Sequence, residues 1–400
     1  MSSRVVLLTV LVALGWLPSQ AFASSLLDAL ASGQPSLDLR LALERSDLKD
    51  NGKDAALSLT LRTRLGYRTG DFAKSNFFLQ AQSVAALIDR YAPEDARYDT
   101  VADVEGVQIH QAYLETAAIP GSVLRLGRQE FTLDDHRLIG DVGWRQHAQS
   151  FDGLTFANKS VKELTLTVGY LWQVKTIANT EQDLDYLGVL HVHYSGSPYA
   201  KISGFGYFLD APGDQPTDRD KMTLGFAAGG GATYFEYAAD YALQRKLADA
   251  DFDGGSMLNV FAGGRFSGFL AGAGYSNISG QDGDQRPFDT LFSTAHKFNG
   301  WSDEFLATNG GGLKLGLEDL YLRFSGGVKG FKFLAQYHLY GQESGDDDYG
   351  SEGEFQVVKK WSDRFSSILK LASYSADSSN KSGVAMLDEQ VIWLRAEINI

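Results

Sequence analysis

The chain has 400 residues, no cysteine and a formal net charge of -14. It therefore offers no disulfide framework and no thiol chemistry, and so acidic a balance argues against nucleic acid as a partner. Forty-three glycines and 12% aromatic residues suit many strands joined by tight turns.

Residues 1–23 read as a secretory signal peptide. Arg4 supplies the positive start, Val5 to Leu17 form the apolar run, and Ala21-Phe22-Ala23 precedes a cleavage point at Ser24. The mature domain is expected over 24–400. No later segment approaches the roughly 20 apolar residues of a membrane-spanning helix.

Beyond the leader the pattern changes to period two. Leu37, Leu39, Leu41 and Leu43 alternate with Asp38, Arg40 and Glu44. Leu57, Leu59, Leu61 and Leu65 oppose Ser58, Thr60, Arg62, Arg64 and Arg68. The end of the chain repeats it, with Ile392, Leu394, Ala396 and Ile398 set against Trp393, Arg395 and Glu397. A strand with one oily face and one charged face needs lipid on one side and water on the other, which a transmembrane barrel supplies.

About eighteen candidate strands follow, at 36–46, 55–68, 76–88, 106–117, 122–131, 150–158, 161–175, 184–194 and 199–209, then 220–228, 232–244, 256–265, 268–276, 313–324, 328–340, 351–361, 365–375 and 387–400. Weak alternation around 199–228 leaves sixteen as the alternative. Short links at 118–121, 195–198, 229–231 and 361–364 alternate with long ones at 87–105, 132–149, 245–255 and 277–312. That is the arrangement of periplasmic turns and external loops. Tyr67, Trp172, Tyr194, Tyr241, Tyr340 and Trp361 stand near strand ends, where interfacial girdles lie. The expected fold is all-β, a single transmembrane antiparallel β-barrel in the outer membrane of a Gram-negative bacterium.

The inward face would carry function. Alternation places Arg40, Arg62, Arg64, Arg68, Arg125, Arg128, Arg323, Lys370 and Arg395 in the lumen as pore-lining cations. Closure would make Lys370, Arg395, Arg40 and the Arg62/Arg64/Arg68 series a basic ladder on four consecutive strands. Glu236 and Asp240 would face it across the barrel. Guanidinium groups grip both oxygens of a carboxylate, so the ladder fits a track for carboxylated solutes. The competing reading is that lumen charges pair with one another and fill a polar interior.

Asp249, Asp251 and Asp253, followed by Gly254, resemble the first half of a calcium loop, although Val260 stands where the bidentate Glu belongs. His191 and His193 form a pair on one strand face without a nameable third ligand. No nucleophile elbow, metalloprotease helix or phosphate loop occurs in the sequence. No enzyme activity and no cofactor is expected beyond that candidate calcium.

Two blocks resemble the alginate-export porin family. One runs Leu126-Gly127-Arg128-Gln129-Glu130, His136-Arg137-Leu138-Ile139-Gly140, Trp144 and Ser150-Phe151-Asp152-Gly153. The other is Phe288 to Phe292 followed by Thr294 to Asp303. The resemblance implies a monomeric eighteen-stranded barrel whose arginine-rich constriction passes a polyuronate. Asp135, His136, Arg137, Trp144 and Arg145 then fall at a strand top and in the following loop, as the candidate constriction. The leading expectation is a passive porin for anionic, carboxylated sugars, in contact with outer-membrane lipid and lipopolysaccharide. A general porin without charge selectivity, a hydrolase at the barrel rim and a plugged structural barrel are the alternatives.

Overall fold

The computed structural model describes residues 19–211, 220–247, 254–283, 286–306, 312–378 and 386–400. Within them a helix, α1 (Ser19–Ala31), is followed by β1 (Gln34–Leu48), β2 (Ala56–Arg68), β3 (Ser75–Arg90), β4 (Gly106–Thr116), β5 (Ser122–Gln129) and β6 (Ser150–Asn158). Next come β7 (Leu164–Lys175), β8 (Glu181–Tyr194), β9 (Lys201–Asp210), β10 (Lys221–Gly231), β11 (Phe235–Lys246) and β12 (Ser256–Phe266). The last are β13 (Phe269–Ile278), β14 (Leu317–Val328), β15 (Phe331–Gly341), β16 (Asp348–Lys360), β17 (Phe365–Ala376) and β18 (Glu389–Asn399).

Each strand pairs antiparallel with its neighbour in sequence, and β1 pairs with β18 to close an eighteen-stranded barrel. Eighteen, not sixteen, is the count. The weakly alternating region forms β9 and β10, which pair over nine positions from Lys201↔Gly229 to Lys221↔Leu209. The β1–β2 hairpin sets Arg40 opposite Arg62, and closure sets it opposite Glu397. Closure leaves no unpaired edge, which is what lets strands cross a bilayer.

The outer face is a continuous apolar belt. Leu41, Leu65, Leu79, Leu114, Leu154, Val168, Phe226, Leu258, Leu322, Tyr337 and Leu394 are all exposed there. Trp172 and Trp361 are exposed near strand ends, as a girdle requires. Tyr340 does not join them. Its parity is that of Gln336 and His338, so it points inward and is buried against Phe305.

Three other expectations are corrected. Glycines 229–231 are not a link but the end of β10, paired with Tyr237 and Glu236, and the turn lies at 232–234. Residues 313–316 form a turn, so β14 starts four residues later than expected and runs through Gly326 and Gly327 to its own turn at Lys329–Gly330. The expected leader falls outside the described residues up to 18, and α1 runs across the expected cleavage point at Ala23–Ser24.

Leu322 lies at the centre of β14 and is 60% exposed on the outer face. Leu322→Arg should lower the unfolding free energy in lipid vesicles by about 2–4 kcal/mol, read by urea titration of tryptophan fluorescence. Leu322→Ala should cost much less. Equal effects would mean that this face does not meet lipid.

Candidate functional site

Two of the connections at the end of the barrel opposite the termini do not stand out from it. The β5–β6 loop (130–149) and the described part of the β13–β14 loop (279–283, 286–306 and 312–316) fold into the lumen and pack on each other. A short parallel bridge joins Ile139 to Phe292. Its backbone bonds run from Gly140 N–H to the Phe292 carbonyl (2.9 Å), Phe292 N–H to Leu138 (3.0 Å) and Thr294 N–H to His136 (3.0 Å). Around this seam lies an apolar core in which Phe131, Leu138, Ile139, Phe288, Leu291, Phe292 and Phe305 meet inward residues such as Phe151, Leu187 and Tyr340. The two loops thus form one plug inside the lumen with an apolar interior.

The tip of the first loop rests on the basic wall. Arg40 donates to the carbonyls of Gly143 (2.9 Å), Trp144 (3.3 Å) and Arg145 (3.0 Å). Arg395 donates to the Trp144 carbonyl and lies over the Trp144 ring, 3.8 Å from its centroid. Arg62 reaches the Gln146 carbonyl and pairs with Asp38 at 2.7 Å. A loop inside a barrel has no ladder to satisfy its carbonyls, and these guanidinium groups take that place.

Next to the tip runs a buried chain of charges. Arg145 binds both carboxylate oxygens of Glu44 (2.8 and 3.1 Å) and reaches Asp303 at 2.7 Å. Asp303 is 2.7 Å from His296 Nδ1, and Lys370 Nζ is 2.5 Å from His296 Nε2. These partners fix a neutral imidazole that donates to Asp303 and accepts from Lys370. Two cations and two anions then balance around one neutral ring. Burial pushes the His296 imidazole down to about 4, with Lys370 acting in the same sense against Asp303. Burial alone would raise the Asp303 carboxyl, but His296 and Arg145 outweigh it and hold it at about 2.

Tryptophans close the arrangement. Lys370 Nζ stands 3.7 Å from the Trp301 ring centroid and 4.2 Å from that of Trp144, and Trp144 stacks on His296 at 5.3 Å. The turn bearing Trp301 is capped by Glu352, which accepts from the N–H groups of Trp301 (2.7 Å) and Ser302 (2.9 Å). Gly300 permits this. At φ +91° its missing Cβ would stand 2.5 Å from a Glu352 oxygen.

The first loop is clasped on its other flanks too. His191 Nε2 meets Asp134 at 2.9 Å, and Ser203 donates to the same carboxylate. His147 is wholly buried, with Gln82 and Gln108 on Nδ1 (2.7 and 3.0 Å). Sequence reasoning did not single out Glu44, Gln146 or His147 as holding the loop. The inward parity of Glu44 was the available signal.

The structure redistributes the expected pore-lining set. The ladder exists on β17, β18, β1 and β2, but Lys370, Arg395, Arg40 and Arg62 are each at most 9% exposed. They lie under the loop and do not border an open channel. Arg64 is drawn to Gln82 and Glu130 (2.6 and 3.2 Å). Arg68 and Arg125 share Glu115 beside Tyr113. Arg128 leaves the lumen altogether. Gln129 and Thr155 are bonded inside, so Arg128 is on the outer face, pairing with Asp152 (2.7 Å) and Glu181 (3.0 Å). Asp240 stays inward near Arg137 (3.6 Å), and Glu236 pairs with Arg265.

Of the constriction set, Trp144 and Arg145 are anchors of the plug. Arg137 stands 4.0 Å from the Phe298 ring centroid, and Lys297 stands 5.0 Å from that ring. Lys297 also donates to the Asp135 carbonyl at 2.8 Å, while His136 faces Asp141 at 3.3 Å. The calcium candidates Asp249, Asp251 and Asp253 lie outside the described residues. Among the described residues no His, Asp or Glu cluster is set to hold a metal.

The profile of one family, described as alginate export, matches residues 39–363. No curated protein matches the sequence. Solved structures share the fold at low identity. Acinetobacter baumannii OccAB2 has a TM-score of 0.68 at 13% identity, with 93% of this chain and 99% of that one covered. Pseudomonas aeruginosa OccK9 (OpdG) has a TM-score of 0.67 at 14% identity, covering 93% and 100%. Acinetobacter baumannii OccAB4 scores 0.66 at 12% identity, covering 92% and 98%.

Two outcomes test the plug. Arg145→Met leaves Glu44 and Asp303 buried without their cation, a loss of about 3–5 kcal/mol. Single-channel conductance in a planar bilayer should rise and its open level become noisy as the loop detaches, whereas Arg45→Met, at an exposed pair, should change neither. Acid should loosen the same unit. The His296 imidazole sits below its usual value near 6.5, so the stability of its neutral form is complete above that pH. It is lost as pH falls from about 6.5 toward about 4. Tryptophan fluorescence should report a transition in that window, and His296→Asn should remove it.

Proposed function

The chain belongs to the alginate export family and is an outer-membrane β-barrel porin; from that premise we propose that it passes anionic, carboxylated sugars or polyuronate by passive diffusion. The observation that carries the reading is the pair of cations at the plug's edge. Arg137 and Lys297 share the face of Phe298, and Arg323 lies on the wall above Phe261, 5.1 Å from its ring centroid. Aromatic faces hold the side chains in place, and each spends only part of its donors on the protein: Lys297 on the Asp135 carbonyl, Arg137 toward Asp135 and Asp240, Arg323 on Gln336. A low-dielectric wall focuses the field of such groups and concentrates counter-ions between them.

The ladder proper has a different role in this scheme. Arg40, Arg62 and Arg395 hold the loop that sets the width, and the path runs along the other side of the lumen. The protein would work as a monomer, seated among lipid and lipopolysaccharide, with no reaction, cofactor or energy coupling.

A second reading is a general small-solute porin. It is favoured by Asp240 beside Arg137 and by the Glu236–Arg265 pair, which cancel part of the positive field. Reversal potentials across a salt gradient decide between them. The carboxylate reading expects anion preference, block by oligouronates, and loss of both in the double variant Arg137→Gln with Lys297→Gln. No preference and no block would leave the general porin.

A further inference from the structure

Below the plug, on the side where the chain's ends lie, the lumen opens into a basin of about 890 Å³. Its walls are the inward residues of β11 to β16, and its rim is formed by the short β10–β11 and β12–β13 turns. Leu334 belongs both to its wall and to the shell of the Trp301 cluster, so the basin lies next to the plug.

Two of the basin's four charged groups, Glu236 and Arg265, pair with each other near its rim, and two are not matched to a carboxylate. Lys332 is exposed and makes no hydrogen bond or ion pair among the described residues. Arg323 gives its Nε to Gln336 (2.8 Å) and has no carboxylate partner among the described residues. On neighbouring strands Lys332 is opposite Gly327 and Arg323 is opposite Gln336. The two cations are therefore four residues apart along the wall, roughly 13 Å at 3.3 Å per residue. Ser325 and Gln356 add hydroxyl and amide groups to the same wall, and Leu334 and Val358 add apolar surface. Arg323 rests on the Phe261 ring and Gln336, Lys332 is free, and neither is neutralised by a carboxylate among the described residues, so both face a cavity large enough for a sugar unit.

We propose that this basin is a binding station for a uronate sugar unit arriving from the periplasmic side, with Lys332 and then Arg323 receiving its carboxylate and Gln356 and Ser325 its hydroxyls. It rests on the carboxylate reading of the channel and adds a location and a side to it. A solute entering from the periplasm meets the station before the plug, whereas one entering from outside must first pass Arg137 and Lys297.

The test is sided block of single channels by a uronate trisaccharide, with neutral maltotriose as control. Since the chain has no cysteine, Ser344→Cys in the β15–β16 loop gives one thiol for a biotin tag that reports the orientation of each channel. Block by periplasmic trisaccharide is expected to be the longer-lived. The double variant Lys332→Gln with Arg323→Gln should shorten it about tenfold, equivalent to about 1.4 kcal/mol, and leave external block nearly unchanged. The isolated environment of Lys332 makes the single variant Lys332→Gln a folding-neutral check, expected to show part of the effect.

Equal block from both sides, block unmoved by the variants, or equal block by maltotriose would overturn the station. If anion preference persisted, the carboxylate reading would survive that result. A wild-type channel with neither anion preference nor block would overturn both.

Discussion

A polypeptide loop placed inside a barrel must find partners for its backbone, because the wall's own amides are already paired with each other. That requirement organises this lumen. The carbonyls of residues 143–146 point at Arg40, Arg62 and Arg395, and the wall presents guanidinium groups there because each offers several donors in a fixed plane. With the loop seated, its side chains can do the rest. Arg145 links Glu44 to Asp303, and Trp144 lies between Arg395 and His296.

The same requirement separates two uses of positive charge. Lys370, Arg395, Arg40 and Arg62 on the β17–β2 wall are buried and bonded, so they contribute position and little field to a passing ion. The cations at the plug's edge and on β14 and β15 are less fully matched: Arg137, Lys297 and Arg323 rest on rings with one or two polar partners each, and Lys332 has none among the described residues. Paired charge builds the constriction, and unpaired charge is what a solute can sense.

Strand parity made most of the fold legible. Leucines at 37, 39, 41 and 43 against Asp38, Arg40 and Glu44 determine which way each of those side chains points, and closure then follows from the first and last strands. Parity failed at bulges and ends. Arg128 was assigned to the lumen although the strand alternation around Gln129 turns it outward, and Tyr340 was assigned to the girdle although it faces in. The site was less legible. The blocks around His136–Gly140 and Thr294–Asp303 marked both loops, but no period tells whether a loop rises from the mouth or folds into it. That depends on contacts such as Ile139 with Phe292, made between segments about 150 residues apart. Hence the ladder could be found from sequence, while what lies on it could not.

The seat of the first loop draws its parts from both ends of the chain. Glu44, Arg40 and Arg62 come from the first two strands, and Lys370 and Arg395 come from the last two. The two sets do not face each other until β1 and β18 zip together. The constriction is therefore a property of the closed ring alone. A barrel caught with its seam unzipped would have its full wall of strands and yet lack the floor on which its narrowest point is built, so sealing the cylinder and setting its bore are one event.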